Sequence, residues 1–186
     1  MDAWMWIVLA AIVVVVVAGI MFVAQRRRRR QRLVETFGPE YDRTVDDVGK
    51  RRRAEAELAD RVERRERIDV RPLSDAARDR YGRQWTDLQL EFVDRPQVAV
   101  VAADDLVGQV MRDRGYPVDD FDTQADLVSV DHPDIVEHYR DAHGIYERQS
   151  HGSASTEDLR RAVISYRVLF DELLHDDGTT AAGQRR

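Results

Sequence analysis

An uncharged apolar run opens the chain and predicts a membrane anchor. The residues from Trp4 to Ala24 carry no charged side chain. At a rise of about 1.5 Å per residue, a helix of this length matches the roughly 30 Å thickness of the bilayer core. Trp4 and Trp6 lie at its outer end, where aromatic rings favour the headgroup layer. We therefore predict a transmembrane helix, with the anchor over residues 1–24.

The charges beside this run predict its orientation. A cleaved signal peptide has positive residues before its apolar segment, whereas here the positive residues follow it. Positive charge next to a span stays on the cytoplasmic side. We expect an uncleaved helix in the plasma (inner) membrane, with the N-terminus outside and residues 25–186 cytoplasmic. The residues expected to contact the headgroups of an anionic inner leaflet are Trp4, Trp6, Arg26, Arg27, Arg28, Arg29, Arg30 and Arg32.

Beyond the anchor, the pattern predicts a basic segment and then a highly charged helix. The basic juxtamembrane segment covers residues 25–43, and its helix is expected to end at Gly38-Pro39. Thr44 is a predicted N-cap for the next helix, in which Glu and Arg recur four residues apart and apolar positions are sparse. We predict a charged spacer helix over residues 44–69, either solvated or forming one arm of a loose coiled coil.

Residues 70–174 carry apolar side chains at helical spacing, which predicts a small bundle of about four helices plus one short helix. No segment alternates between apolar and polar residues as a half-buried strand does, so the predicted class is all-α. Residues 175–186 are polar and contain glycine, and we expect a disordered tail there. The predicted N-caps are Ser74, Asp94, Asp131 and Ser155, and the expected large core side chains are Trp85, Phe92, Phe121, Tyr166 and Phe170.

Charge is segregated along the chain, whose formal net charge is −6. Residues 26–83 contain 19 basic and 13 acidic side chains, a net charge of +6, whereas residues 84–177 contain 8 basic and 21 acidic ones, a net charge of −13. The acidic part would repel both the phosphates of nucleic acids and an anionic leaflet. We therefore expect no nucleic-acid partner and an acidic bundle that lies away from the membrane surface.

The residue types that carry common chemistry are missing or unsuitably spaced. No cysteine is present, which excludes disulfides, thiolate-bound zinc and thiol nucleophiles. His138 and His143 are five residues apart, whereas a helical zinc pair requires a spacing of four. The sequence contains neither a glycine-rich phosphate loop nor a Gly-x-Ser-x-Gly nucleophile motif. We expect no catalytic residue, no cofactor and no metal site, and hence no enzyme.

The stretch from Ser129 to Asp134 has two interpretations. Asp131 and His132 could form an exposed recognition corner in which the imidazole responds to pH. Alternatively, Asp131 caps a helix whose first turn contains Pro133 and Asp134. We favour the helix start, because it accounts for nearly every residue in the stretch. Asp131 and His132 remain weak candidates for an interaction surface.

The segment Phe37-Gly38-Pro39-Glu40-Tyr41-Asp42-Arg43 is the most distinctive in the chain. With Phe92-Val93-Asp94, Arg114-Gly115-Tyr116-Pro117, Ser129-Val130-Asp131-His132-Pro133 and the helix of residues 155–174, it resembles a family of small single-pass proteins of GC-rich bacteria. Members of that family are labelled as hypothetical membrane or secreted proteins. The resemblance covers nearly all of residues 1–174 and implies a membrane protein, but no activity, cofactor or catalytic residue.

Three functions are compatible with these patterns. We expect a membrane-anchored protein whose cytoplasmic helical module binds another protein as a scaffold or regulator. The first alternative is an enzyme or ligand-binding bundle, with a site assembled from Asp131, His132, Tyr139 and Tyr166. The second alternative is a structural homo-oligomer formed through the span and the spacer helix. A pocket with converging polar groups would favour the enzyme, and self-cross-linking of the spacer would favour the oligomer.

Overall fold

The computed structural model describes residues 3–118 and 120–176, and every regular element among them is an α-helix. The prediction of an all-α protein is thus confirmed. His175, the first residue of the predicted tail, is the last residue of the final helix, and residues 177–186 lie outside the described part. The helices are α1 (Ala3–Phe37), α2 (Pro39–Val48), α3 (Arg51–Glu66), α4 (Asp75–Asp94), α5 (Pro96–Arg114), α6 (Phe121–Asp131), α7 (Val136–Ser150) and α8 (Thr156–His175).

Contacts within the chain divide it into two compact units, residues 1–58 and residues 59–186. The division falls inside α3, whereas the sequence pattern placed the start of the bundle at residue 70. The difference arises because arginines in the second half of α3 bind carboxylates of α6. Those residues therefore belong to the same unit as the bundle.

In the first unit, α1 continues from the apolar run through the arginines and ends at Phe37, as the Gly38-Pro39 pair predicts. The helix predicted from Val45 onward is wrong, because α2 already begins at Pro39. Thr44 is not an N-cap: it lies inside α2, where its hydroxyl donates to the carbonyl of Glu40 at 2.9 Å. Gly49 then ends α2 in the left-handed region, at φ 69°. Proline at a first turn and glycine at a C-cap account for this shorter helix.

The described side chains of the apolar run are exposed, with Val15 at 71% and Phe22 at 66%. No helix among the described residues is long and apolar enough to cross a membrane. The predicted transmembrane helix is therefore not supported by this part of the chain. Several of its side chains, those of residues 5–11 and 13, lie outside the described ones.

In the second unit, α5 is the central helix and packs against α4, α7 and α8, while α6 packs against α7. Trp85 of α4 stacks on Phe170 of α8 with ring centroids 4.6 Å apart. Phe92 and Phe121 pack only at the edge of the core and are half-buried. The largest fully buried apolar side chains of this unit are Trp85, Met111, Leu127, Ile145, Leu159, Tyr166, Leu169, Phe170 and Leu173.

Two of the four predicted N-caps of this unit are confirmed. The hydroxyl of Ser74 accepts a hydrogen bond from the backbone of Ala77, and Ser155 forms a reciprocal capping box with Asp158. Asp94 and Asp131 are not caps, because they are the last residues of α4 and α6. These two predictions were wrong because α4 and α6 each continue to the aspartate that the pattern assigned to the following helix.

Candidate functional site

The second half of α3 is attached to α6 by three arginines. Arg61 Nε lies 3.0 Å from Asp126 Oδ1, and Arg64 donates to Asp126 Oδ2 at 3.0 Å. Arg65 donates to Asp131 Oδ2. Arg61 is only 7% exposed, so its guanidinium is largely removed from water. The prediction of a solvated spacer is therefore wrong for this half of the helix.

The neighbouring residues Asp131 and His132 belong to a largely buried ionic cluster, whose other members are Arg65, Arg114, Tyr116, Glu172 and Asp176. The hydroxyl of Tyr116 donates to Asp131 Oδ2 at 2.6 Å, and this oxygen also accepts from Arg65. The guanidinium of Arg65 lies over the Tyr116 ring, 5.9 Å from its centroid. One carboxylate thus joins α3, α6 and the segment after α5.

The other side of the ionic cluster binds the end of α8. Arg114 is fully buried and donates to the carbonyl of Leu173 at 2.6 Å and to Asp176 Oδ2 at 2.5 Å. His132 Nδ1 lies 3.2 Å from Glu172 Oε1, and its Nε2 lies 3.5 Å from Asp176 Oδ2. A buried charge is tolerated when it is paired and hydrogen-bonded. Arg114 is therefore paired with Asp176, and Arg65 with Asp131. In contrast, Asp131 Oδ1, Arg114 Nε and His132 Nε2 are buried and make no hydrogen bond to any described residue.

Asp131 and His132 do not form an exposed recognition corner, since they are 7% and 4% exposed. Their side chains point into the ionic cluster, where carboxylates and cations of other helices bind them. Both sequence interpretations of this stretch therefore fail. Sequence reasoning also missed Arg114 and Tyr116, because nothing local distinguishes a buried arginine from the many exposed ones.

A second group, the aromatic cluster, lies between α5, α6, α7 and α8. Tyr166 donates to Asp104 Oδ1 at 2.6 Å, and His143 Nδ1 lies 3.4 Å from the same oxygen. Phe121 stacks on the His143 ring with a centroid distance of 3.7 Å. Tyr139 donates to Gln124 Oε1 at 2.6 Å. The cluster also includes Tyr146, whose ring stacks on His143 at 5.5 Å.

Burial changes the acidity of the tyrosines in both clusters. Removal from water raises the pKa of Tyr116, Tyr139 and Tyr166 above the ordinary range, and neighbouring carboxylates add to each increase. The carboxylate is Asp131 for Tyr116 and Asp104 for the other two. These phenols therefore stay protonated at neutral pH and act as hydrogen-bond donors.

The four residues proposed as a scattered enzyme site belong to two different clusters. Tyr139 and Tyr166 meet in the aromatic cluster, whereas Asp131 and His132 lie in the ionic one. In the aromatic cluster, an imidazole and a carboxylate meet near the surface, and the side chains of His143 and Asp104 are 18% and 24% exposed. The pKa values of the Tyr139 and Tyr166 hydroxyls are raised, so neither hydroxyl is an activated nucleophile.

Comparison with protein-family models, curated proteins and solved structures finds no match for this chain. The resemblance of the sequence to a family of single-pass proteins therefore stays a prediction. No group of His, Asp and Glu side chains among the described residues could bind a metal ion.

The predicted headgroup-contact residues all belong to α1. Trp4 is 62% exposed, and the arginines of residues 26–30 and 32 are exposed as well. The side chain of Trp6 lies outside the described residues. An open groove on this helix is lined by Arg27, Arg30, Gln31, Val34 and Glu35. None of these residues belongs to the ionic or the aromatic cluster.

Proposed function

We propose that this chain is a single-pass membrane-anchored protein with a cytoplasmic helical module that binds another protein, as a scaffold or regulator at the inner leaflet. The observation that carries the proposal is the order of residues along α1. An uncharged run from Trp4 to Ala24 is followed by six arginines within residues 26–32, and both belong to one helix of 35 residues. Such a run with one-sided positive charge is typical of a span with its C-terminal side in the cytoplasm.

The second unit supports binding rather than catalysis. Buried charged residues of this unit bind one another, as the Arg65–Asp131 and Arg114–Asp176 pairs illustrate. It is acidic, since its residues 59–186 contain 18 basic and 27 acidic side chains, a net charge of −9. An acidic, well-packed bundle has electrostatic complementarity with a basic partner and is repelled by anionic lipid. The partner would therefore be a protein rather than the membrane surface.

The absence of cysteine makes the topology directly testable. Single cysteines would be introduced by Asp2→Cys and Gly178→Cys, and cells would be labelled with a membrane-impermeant maleimide before and after lysis. We expect the cysteine at position 2 to react in intact cells and the one at position 178 to react only after lysis. Labelling of both in intact cells would refute the cytoplasmic location, and recovery in the soluble fraction would refute the anchor.

Partner binding would be tested in the same cells. A photo-cross-linking amino acid would replace exposed residues one at a time, beginning with Gln84 and Gln97. We expect the full chain to cross-link to one partner protein, and only from a limited set of positions. The matched control is Trp85→Ala, which removes a core ring and should abolish the cross-link. Cross-links only between copies of this chain would instead support the homo-oligomer.

A further inference from the structure

The turn between α4 and α5 carries four exposed aliphatic side chains. Leu90 and Val93 near the end of α4 are 67% and 80% exposed, and Val98 and Val101 at the start of α5 are 50% and 41% exposed. A single residue, Arg95, separates the two helices, so all four lie at one end of the helical pair. We refer to Leu90, Val93, Val98 and Val101 as the hairpin patch.

Packing of the bundle does not require these residues. The buried face of α4 carries Trp85 and Leu88, and the buried face of α5 carries Ala99 and Ala103. At about 100° per residue, Leu90 lies on the side of α4 opposite the buried one. Large aliphatic residues grouped on an exposed face are typical of protein interaction sites. The patch is therefore a surface available to a partner.

Carboxylates border the patch on both helices. Asp87 lies one turn before Leu90, Asp94 follows one turn after it, and Asp105 lies one turn after Val101, and all three side chains are exposed. Between Arg83 and Arg112 the sequence contains five acidic residues and one basic residue, Arg95, so its net charge is −4. Arg95 is itself paired with Glu91. The border of the patch is consequently negative.

We propose that the hairpin patch is the docking face for a basic amphipathic helix of a partner protein. The apolar face of that helix would cover Leu90, Val93, Val98 and Val101, and its Lys or Arg residues would meet Asp87, Asp94 and Asp105. This is the helix-on-apolar-surface mode, in which apolar anchors give affinity and border charges give orientation. This docking face presupposes the interaction module proposed above and assigns its location and its ligand.

The charge of the border distinguishes this occupant from two others. A second copy of the chain docked through the same face would bring two negative borders together, which opposes association. An anionic leaflet would be repelled by the same carboxylates. A basic helix is instead attracted by all three border carboxylates, Asp87, Asp94 and Asp105. Charge complementarity thus favours the basic helix over a second copy of the chain and over an anionic leaflet.

The test uses the full chain in nanodiscs of zwitterionic lipid and a short synthetic helix with leucines on one face and lysines on the other. Its affinity would be measured by fluorescence anisotropy, with empty nanodiscs as the background. We expect saturable binding to the chain, and about tenfold or greater weakening by Val93→Lys. The matched control is Ile164→Lys, an aliphatic position on α8 that is 59% exposed and should leave binding unchanged.

The role of the carboxylates that border the patch is tested by removing their charge. Asp87→Asn combined with Asp105→Asn should weaken binding several-fold at low salt, and the effect should shrink as salt rises. Asp141→Asn, an exposed position on α7, is the control. The same peptide with glutamates in place of lysines should bind much more weakly. Equal binding of the acidic peptide, or equal losses in Val93→Lys and Ile164→Lys, would overturn the proposal.

Other occupants would be recognised by their own signals. If Val93→Lys abolished a self-association of the chain, or its binding to anionic vesicles, the face would be an oligomer or lipid contact and the proposal would be wrong. Failure of the docking face is also separable from failure of the proposed function. A cellular cross-link that survives Val93→Lys refutes only the docking face, whereas a full chain with no cross-linked partner refutes the interaction module itself.

Discussion

The guanidinium of Arg114, at the end of α5, donates a hydrogen bond to the carbonyl of Leu173 in the last turn of α8, 59 residues later in the chain. This carbonyl is one of the four at a helix end that have no partner within the helix. The same guanidinium binds Asp176, just after α8. One fully buried arginine therefore fastens the last turn of α8 to the end of the central helix.

Replacement of this arginine by an apolar residue of similar length should destabilise the second unit strongly. Arg114→Met removes the guanidinium that binds the nearly buried carboxylate of Asp176 and donates to the carbonyl of Leu173. Loss of one partner of a buried ion pair costs about 3 kcal/mol or more. The measurement is denaturant unfolding of the full chain in detergent, followed by Trp85 fluorescence after Trp4 and Trp6 are replaced by phenylalanine.

The matched control is Arg112→Met, because Arg112 is exposed and lies two residues earlier on the same helix. Exposed substitutions of this kind change the free energy of unfolding by less than about 0.5 kcal/mol. Similar stabilities of the two variants would contradict the fastening role of Arg114.

Gly115 should not accept a side chain. Its φ is 97°, and an added Cβ would lie 2.5 Å from the backbone oxygen of Asp69. We expect Gly115→Ala to lower the free energy of unfolding by at least about 2 kcal/mol through strain and backbone displacement. In contrast, Gly108 lies within α5 with open space around its Cβ position, and Gly108→Ala should stabilise by about 0.5–1 kcal/mol. A tolerated alanine at residue 115 in thermal unfolding would refute the close approach to Asp69.

The attachment of α3 to α6 should depend on Arg65. Arg65→Gln removes the cation beside the buried Asp131 and should raise hydrogen exchange of residues 59–66 about tenfold or more, since that segment then opens locally. Arg67→Gln, at an exposed pair with Glu63, is the control and should leave exchange nearly unchanged. Exchange is measured by mass spectrometry of the full chain. Fast exchange of this segment in the unsubstituted protein would contradict the attachment.

Alkaline pH should unfold the second unit. Burial raises the pKa of Tyr116, Tyr139 and Tyr166, so the folded state binds protons that the unfolded state releases near pH 10. The three protonated tyrosines contribute fully to stability below about pH 10, and this contribution is lost as pH rises above that value. The near-ultraviolet absorbance of tyrosinate should therefore rise in two stages, the second together with loss of helical circular dichroism. Ionisation of all six tyrosines in one stage with the helices intact would contradict this.

The contribution of the α8 capping box to the free energy of unfolding should be measurable with a single substitution. Ser155→Ala removes the acceptor for the backbone N–H of Asp158 and should cost about 1 kcal/mol, whereas Thr156→Ala in the first turn should cost much less. Hydrogen bonds from Ser155 lower the pKa of Asp158, so its stabilisation is present above the unfolded pKa and is lost as pH falls through the folded one. The difference in free energy of unfolding between Ser155→Ala and Thr156→Ala should therefore become smaller at acidic pH.

Local signals predicted much of the helical framework. Ser74 and Ser155 mark helix starts that the structure confirms, since a cap and its partner lie within a few residues of each other. The helical spacing of apolar side chains over residues 70–174 likewise predicted buried helix faces, such as that of α8. The aromatic cluster was predicted only in part, because Tyr139 and Tyr166 were assigned to one candidate site but Asp104 and His143 were not.

What the sequence by itself determined is therefore the helical class, the charge segregation and those helix ends whose caps are local. Only the tertiary structure decided that Asp131 binds Arg65, 66 residues earlier, instead of capping a helix, and that Arg114 is fully buried whereas many other arginines are exposed. The physical reason is the sequence separation of the interacting residues. A cap depends on three or four neighbouring residues, whereas a buried ion pair exists only after packing has removed both partners from water.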